Sequence, residues 1–527
     1  MLNRFLIIIS FFCVTSSTFG QVVYQDVSNN AIYEFLDELA NEQIIVINSA
    51  IKPYPRIFIA NKLLEAEQSG KLNPRQKKEI EFYLRDYGKE LYIGKFDNKR
   101  FDIFYFSDSS FTFSLNGILG AQGWNNENGI NYHRWYGGEM FGYAGKHFGF
   151  YASLRDNTEK IRLADTNVVT IRNGGKYRST DYSEMRGGAS LSWSWGSIAL
   201  VKDYLQWGTH YHYPNIISDK APSFAHIKLN LQPAKWFEFN YFHGWLVSEV
   251  VDSSRSYNYN GVQRNVFHGK YMAANMFTFK PWQKLNLSFG NSIVYSDIGV
   301  HPAYLIPFMF YKSVDHTYNG NTNTAGQNSQ MFFDISSRLI PKVHMYYSMY
   351  IDVLSFGTLF NKDEHANHWS MQGGVRVTNL FPNTCFTFEY TRTNPLTYKN
   401  DNLTTLYNSN WYNLGHYLGD NARGLYLALD FRPISRLLIS GRFRLNQKGP
   451  DYPYIRETEK VLGLPFMESV EWEQHIYSLK ASYQVLNDFF IYVEAEKQTV
   501  SGNFKRFNSE YYWGNTISWS LGVNFGF

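Results

Sequence analysis

From about residue 100 onward, apolar and polar positions alternate with period two. At the carboxy end Ile517, Trp519, Leu521, Val523, Phe525 and Phe527 are large and apolar, and Ser518, Ser520, Gly522, Asn524 and Gly526 between them are small or polar. Successive side chains of a strand point to opposite faces, so such a segment has one apolar and one polar face. The same parity sets Leu425, Leu427, Leu429 and Phe431 against Tyr426 and Asp430. It sets Leu437, Ile439, Phe443 and Leu445 against Arg442 and Arg444. Tyr477, Leu479, Ala481 and Tyr483 oppose Lys480, and Ile491, Val493 and Ala495 oppose Glu494 and Glu496. Earlier in the chain Asp334, Arg338, Asp352, Arg376 and Glu389 fall on the polar face. Segments 130–143 and 198–205 read either way.

The links between these segments alternate in length. Short ones fall at Ala144-Gly145-Lys146, Trp195-Gly196-Ser197, Gln232–Lys235, Lys280-Pro281-Trp282, Ile340-Pro341-Lys342, Phe381-Pro382-Asn383, Arg432–Ser435 and Leu486-Asn487-Asp488. Pro, Gly and Asn suit tight turns. Long ones fall at 157–186, 205–222, 251–263, 295–327, 355–368, 395–421, 447–472 and 499–513. Tight turns alternating with long loops are the periplasmic and extracellular ends of a transmembrane barrel. The pattern predicts an all-β membrane protein, an antiparallel β-barrel of about 18 strands. Its first strand lies near Phe111–Leu119 and pairs with the last. Phe527, aromatic and carboxy-terminal, reads as the membrane assembly signal and a lipid-facing anchor. The lumen charges are of both signs, which argues against an ion-selective ladder.

Residues 21–98 have a different period. Ala31–Leu39 repeats with helical spacing behind the cap candidates Asn29 and Asn30, Ile57–Ala66 predicts a second helix, and Pro74 opens a third with Ile80, Leu84 and Tyr87 on one face. Ahead of this module, Arg4 and the short apolar run from Phe5 to Phe12 read as a secretory signal peptide with cleavage near Gly20. The expected organisation is therefore a signal peptide (1–20), a periplasmic helical module (21–98) and an outer-membrane barrel (99–527).

Composition narrows the function. The 527 residues carry a net charge of +4, 18% aromatic and 18% charged residues, and a mean hydropathy of −0.36. No run after residue 20 approaches the roughly 20 apolar residues of a spanning helix. The charge is too small to argue for nucleic acid. Of the two cysteines, Cys13 lies in the leader, so Cys385 has no partner for a disulfide or a Cys-pair zinc site. His210 and His212 lack a nearby third ligand, so no metal is assigned. No GxSxG, HExxH, Walker or EF-hand motif is present. The reading is of a non-enzyme without cofactor. The candidate ligand site is the loop aromatics Trp207, His210, Tyr211, Tyr213, Trp411, Tyr412 and His416, since aromatic faces beside amides and hydroxyls suit the apolar faces and polar rims of sugar rings.

Several segments together resemble the Wzi-type capsule assembly proteins. They are Tyr33–Leu39, Lys52–Arg56 and Leu72–Gln76 in the module; Asp203-Tyr204-Leu205-Gln206-Trp207-Gly208 followed by Ser218-Asp219-Lys220-Ala221-Pro222; His301–Phe308, with Ile306 at the Asn position of the family's Asn-Pro-Phe; and Tyr350-Ile351-Asp352. The resemblance implies an 18-stranded outer-membrane barrel with a periplasmic helical bundle, acting as a surface lectin that organises capsular polysaccharide. The implied partners are outer-membrane lipid, surface polysaccharide and the barrel assembly machinery. Two alternatives stay open at this point: an outer-membrane channel or transporter, and an accessory barrel of a surface secretion or gliding-motility machinery. A channel needs an open lumen, which the helical module and the loops around 157–186 and 295–327 are large enough to occlude.

Overall fold

A strand that is apolar on one face and polar on the other leaves an unpaired edge unless the sheet closes on itself. The computed structural model, which describes residues 21–91, 99–175, 179–319, 326–354, 367–454 and 464–527, shows that closure. Eighteen antiparallel strands form one barrel in sequence order. They are β1 (Phe111–Asn126), β2 (Gly129–Ala144), β3 (Phe148–Glu159), β4 (Asp181–Trp193), β5 (Gly196–Asp203) and β6 (Phe224–Ala234). Next come β7 (Phe237–Leu246), β8 (Lys270–Trp282), β9 (Leu285–Ser296), β10 (Asn328–Ser337), β11 (Val343–Val353) and β12 (His368–Thr378). The last six are β13 (Thr384–Thr393), β14 (Ala422–Phe431), β15 (Leu437–Lys448), β16 (Trp472–Leu486), β17 (Phe489–Gly502) and β18 (Thr516–Phe525). The segment read as a signal peptide, with Cys13, lies outside the described residues.

All eight short links gather at one end of the barrel and the long links at the other. β18 closes against β1, but higher than the sequence suggests: Phe525 faces Leu119 and Trp519 faces Asn125. The lower part of β1 is instead paired by Phe104–Ser107, which occupies the register where Thr112–Leu115 would have met the last strand. Phe527 is half-buried with its ring 5.8 Å from that of Phe490.

The outer surface is apolar. On β18, Trp519 and Leu521 are 62% and 65% exposed, while Thr516, Ser518 and Ser520 are buried toward the lumen. Both ambiguous segments resolve: Ile130, Tyr132 and Tyr136 of β2 and Ile198 and Leu200 of β5 face outward. The described part of the loop after β9 packs outside the lumen. Residues 301–319, including the helix α4 (Tyr311–Asn319; the three helices of the amino-terminal module are α1–α3, given below), fold down over the outer face of β7–β9. Polar wall side chains satisfy its backbone. Asn275 Nδ2 donates to the carbonyls of Pro307 and Met309, both at 2.8 Å, Tyr241 donates to that of Tyr304 at 2.9 Å, and Asn291 Oδ1 accepts from Tyr311 N at 2.8 Å. Phe308 stacks on Phe239 at 4.4 Å, and Leu305, Ile306, Phe308 and Phe310 stay exposed. This arrangement meets the requirement that backbone at membrane depth be hydrogen-bonded.

The amino-terminal helices close the short-turn end. α1 (Asn30–Asn41), α2 (Arg56–Gln68) and α3 (Pro74–Tyr87) share a core of Ile32, Leu36, Leu39, Ile59, Leu63 and Ile80. α3 carries a capping box between Asn73 and Gln76 with Pro74 at its first position, whereas Asn29 precedes α1 without a side-chain cap bond. The helices are pinned to the wall by buried charges. Arg338 donates to Asp37 at 2.6 Å and to Asn41 at 2.7 Å, Arg432 pairs with Glu34 at 2.9 Å, and Arg100 bridges Asp86 and Asp488. Burial pushes the Asp86 carboxyl up, but Arg100, Arg56 and Lys89 more than reverse this and hold it well below the usual carboxylate range.

Candidate functional site

The interior is occupied by chain. The loop between β5 and β6 turns into the barrel and runs its length. Gln206 and Trp207 pair as a two-residue strand with Lys52 and Ile51 of the helical module, and Gly208 N donates to Ala50 O at 2.8 Å. Gly208 has φ of 101°, and a Cβ there would press on Ser348 Oγ at 2.9 Å, so the Trp-Gly pair is what lets the loop pass close to the wall. Thr209 donates to Asp334 through N (2.7 Å) and Oγ1 (2.9 Å). Tyr211 N donates to Glu389 at 2.9 Å, and Asn215 Nδ2 donates to the carbonyls of Ser348 and Ser370.

The loop between β13 and β14 locks onto this one. Tyr398 and Tyr407 donate to the carbonyls of Asn215 and Ile216 at 2.6 and 2.9 Å, and Ser218 N donates to Leu414 O at 2.6 Å. From a third side, Gly174 N donates to Lys220 O at 2.7 Å, with the Tyr412 ring so close that a Cβ on Gly174 would sit 2.3 Å from it. The loops and wall share one apolar core that includes Ile51, Trp207, Phe242, Met276, Phe332 and Tyr350. Described residues of the module and of these loops thereby obstruct the lumen around this core.

Of the aromatics that sequence suggested as a ligand surface, this core holds Trp207 and Tyr412, and Tyr213 joins a neighbouring cluster. Trp207 is 1% exposed, between Phe242 and Phe332. Tyr412 and His416 are buried, and Tyr213 packs on His416 and Tyr417. His210 is turned onto Gly208 O, and Tyr211 bonds His344 Nδ1 at 2.7 Å near the short-turn end. Only Trp411 and Tyr211 keep partial exposure. The seven are brought together in part, but as filling and not as an open platform: their rings pack in the barrel interior. His212 stacks on Tyr426 at 4.3 Å, and no group of three metal-ligating side chains occurs among the described residues.

The ten lumen charges lie on the inner face and have structural partners. Arg338 holds α1, Asp352 accepts from Tyr350 and from Tyr398 N, and Glu389 accepts from Tyr346, Gln372 and the β5–β6 loop. Arg376 pairs with Asp430, Arg442 donates to Ser440, and Arg444 pairs with Glu496 at 2.9 Å. Lys480 lies over the Tyr492 ring at 4.4 Å and opposite Glu494 in the strand register.

What stands free at the long-loop end is a hairpin that sequence reading passed over as one of eight loops. Tyr257–Tyr259 pairs with Val262–Arg264 across Asn260-Gly261, whose φ values of 51° and 78° belong to a two-residue turn with both central residues left-handed. Register puts Tyr257, Tyr259, Val262 and Arg264 on one face, with Tyr257 opposite Arg264; Tyr257 and Tyr259 are 56% and 58% exposed. The Asn-Gly dipeptide between Tyr-Asn-Tyr and Val-Gln-Arg is the signal that could have found it.

No protein-family model matches the chain, and no curated protein matches it by sequence. Among solved structures it is similar to Wzi of Escherichia coli, an outer-membrane protein involved in group 1 capsule assembly and a carbohydrate-binding β-barrel. The TM-score is 0.57 at 13% identity, covering 96% of this chain and 99% of Wzi. Two Pseudomonas aeruginosa proteins match more loosely: the outer-membrane protein OprD (TM-score 0.40, 12% identity, 78% of this chain and 92% of OprD) and OpdK (0.44, 7%, 78% and 98%). At these identities the likeness is one of fold, and the fold is that of the outer-membrane barrels.

Proposed function

We propose that this protein is a surface polysaccharide-binding barrel: it holds capsular or exopolysaccharide at its long-loop end, which faces outward, while the helical module faces the periplasm. The observation that carries the reading is the blocked lumen. A transport path would require the interlocked loops and the pinned helices to move together, whereas a binding protein needs only a rigid base for what projects from it. The exposed face of Tyr257, Tyr259 and Arg264 offers aromatic area and a charged donor of the kind that seats sugar rings. The carbohydrate-binding character of Wzi, which has the same architecture over nearly its whole length, supports the same reading.

The test is binding of the purified full-length barrel to the producing strain's own polysaccharide, set against a foreign one, by surface plasmon resonance. Preference for the strain's own polymer is expected. Tyr257→Ala with Tyr259→Ala should weaken it by about tenfold, as loss of aromatic anchors does. Equal binding of both polymers, or no binding, would overturn the proposal.

A further inference from the structure

At the short-turn end, a cavity of about 600 Å³ lies between the helical module and the inner wall of β5–β7, away from the plugged centre. Its size falls within the range of small-molecule sites. On one side stand the rings of Tyr54 and Phe58, 5.1 Å apart and inclined at 56°. The floor is polar. Asn48, Asn240 and Lys280 all donate to Glu238, so the carboxylate there is fully engaged. Lys62 at the rim is engaged by Glu65 at 2.7 Å.

Lys228 is different. It is 3% exposed, borders the cavity, and has its ammonium 4.2 Å from the centre of the Tyr24 ring. Among the described residues it makes no ion pair. Asp203 and Glu238 act on it from a distance, without direct contact, and a buried ammonium without a bonded carboxylate is costly unless something supplies the counter-charge. The cavity thus joins aromatic side chains with a buried ammonium that has no directly bonded counter-ion.

We infer that this cavity is a second binding site, open at the module end, for an acidic sugar unit. The pyranose faces rest on Tyr54 and Phe58, and the sugar carboxylate bonds the Lys228 ammonium. The other polar groups of the floor, the Lys280–Glu238 pair included, bond one another, so the charge on Lys228 is what selects an acid over a neutral sugar. The site lies at the opposite end of the molecule from the Tyr257 hairpin and does not depend on what that hairpin binds.

The experiment is isothermal titration calorimetry of the full-length barrel in detergent, with digalacturonate as the acidic probe and lactose as the neutral one. Heat-modifiable electrophoretic mobility reports folding of each variant. Digalacturonate should bind with an affinity that falls as salt rises, and lactose should not bind measurably. Lys228→Met should weaken digalacturonate by about tenfold or more, the loss expected for one charge-assisted hydrogen bond; Lys228→Arg should retain most of it. Phe58→Ala, checked for folding in the same way, should weaken it severalfold. Equal binding of the two sugars, no binding of digalacturonate, or full binding by folded Lys228→Met would overturn the assignment.

Discussion

If the loop between β5 and β6 plugs the lumen and the helical module closes its short-turn end, removing both should turn a silent barrel into a pore. Asp203 and Phe224 are directly paired across β5 and β6, so residues 204–223 can be replaced by an Asn-Gly turn without moving either strand. The excision removes the Trp207–Ile51 pairing, the Thr209–Asp334 and Tyr211–Glu389 bonds, and the carbonyls on which Tyr398 and Tyr407 anchor the second loop. The wall itself keeps every ladder. With eighteen strands about 4.8 Å apart and tilted by about 40°, its circumference is about 110 Å and its backbone radius about 18 Å. Allowing about 5 Å for inward side chains leaves room for hydrated ions once the loops are gone. Single-channel recording in planar bilayers reads the outcome. The native chain should give no steady conductance and the variant lacking both residues 21–91 and residues 204–223 a large one, while polysaccharide binding through Tyr257 and Tyr259 persists. A large steady conductance from the native chain, or a folded variant that stays silent, would refute the account of the lumen.

Three further outcomes follow from the same contacts. Arg338→Met leaves Asp37 buried without its cation, a loss of about 3–5 kcal/mol, and should free α1 so that trypsin cuts residues 21–91 in intact barrels; unchanged protection would contradict the pinning role of Arg338. The Asp86 carboxyl titrates below its unfolded value, so its contribution to docking is complete above that value and declines from about pH 4 downward. Pepsin should therefore release the module increasingly as pH falls below 4, and Asp86→Asn should loosen it already at neutral pH, where trypsin reads it. Asn275→Leu removes both donors that hold the outer flap, at about 1–3 kcal/mol. A spin label at Phe308→Cys should then change from immobile to mobile, and an unchanged spectrum would show that the flap is held otherwise.

Much of the architecture was legible in the chain, for a local reason. A strand residue in the wall meets either hydrocarbon or the interior whatever its partners are, and a lipid-facing charge costs a few kcal/mol. Parity alone therefore sorted Leu427 and Leu429 from Tyr426 and Asp430, and the eight short links marked one rim. The closing register was not legible, because Phe104–Ser107 competes for the lower part of β1 and carries no signal that says so. Nor was the flap: Asn275 and Asn291 sit on an outward face that should be apolar, and their use is evident only with the carbonyls of Pro307 and Met309 above them.

The candidate site shows the same division. Sequence by itself determined the barrel, its two faces, the helical module and a stock of aromatic loops. Only the tertiary structure decided where those loops go. Trp207 and Tyr412 are buried because residues distant in the chain — Ile51, Phe242, Tyr350, Ile216 — converge on them, while Tyr257 and Tyr259 are exposed on a hairpin that closes on itself. Both kinds of loop carry large aromatic side chains. Whether such a side chain fills a lumen or meets a ligand depends on long-range packing, which no local pattern encodes.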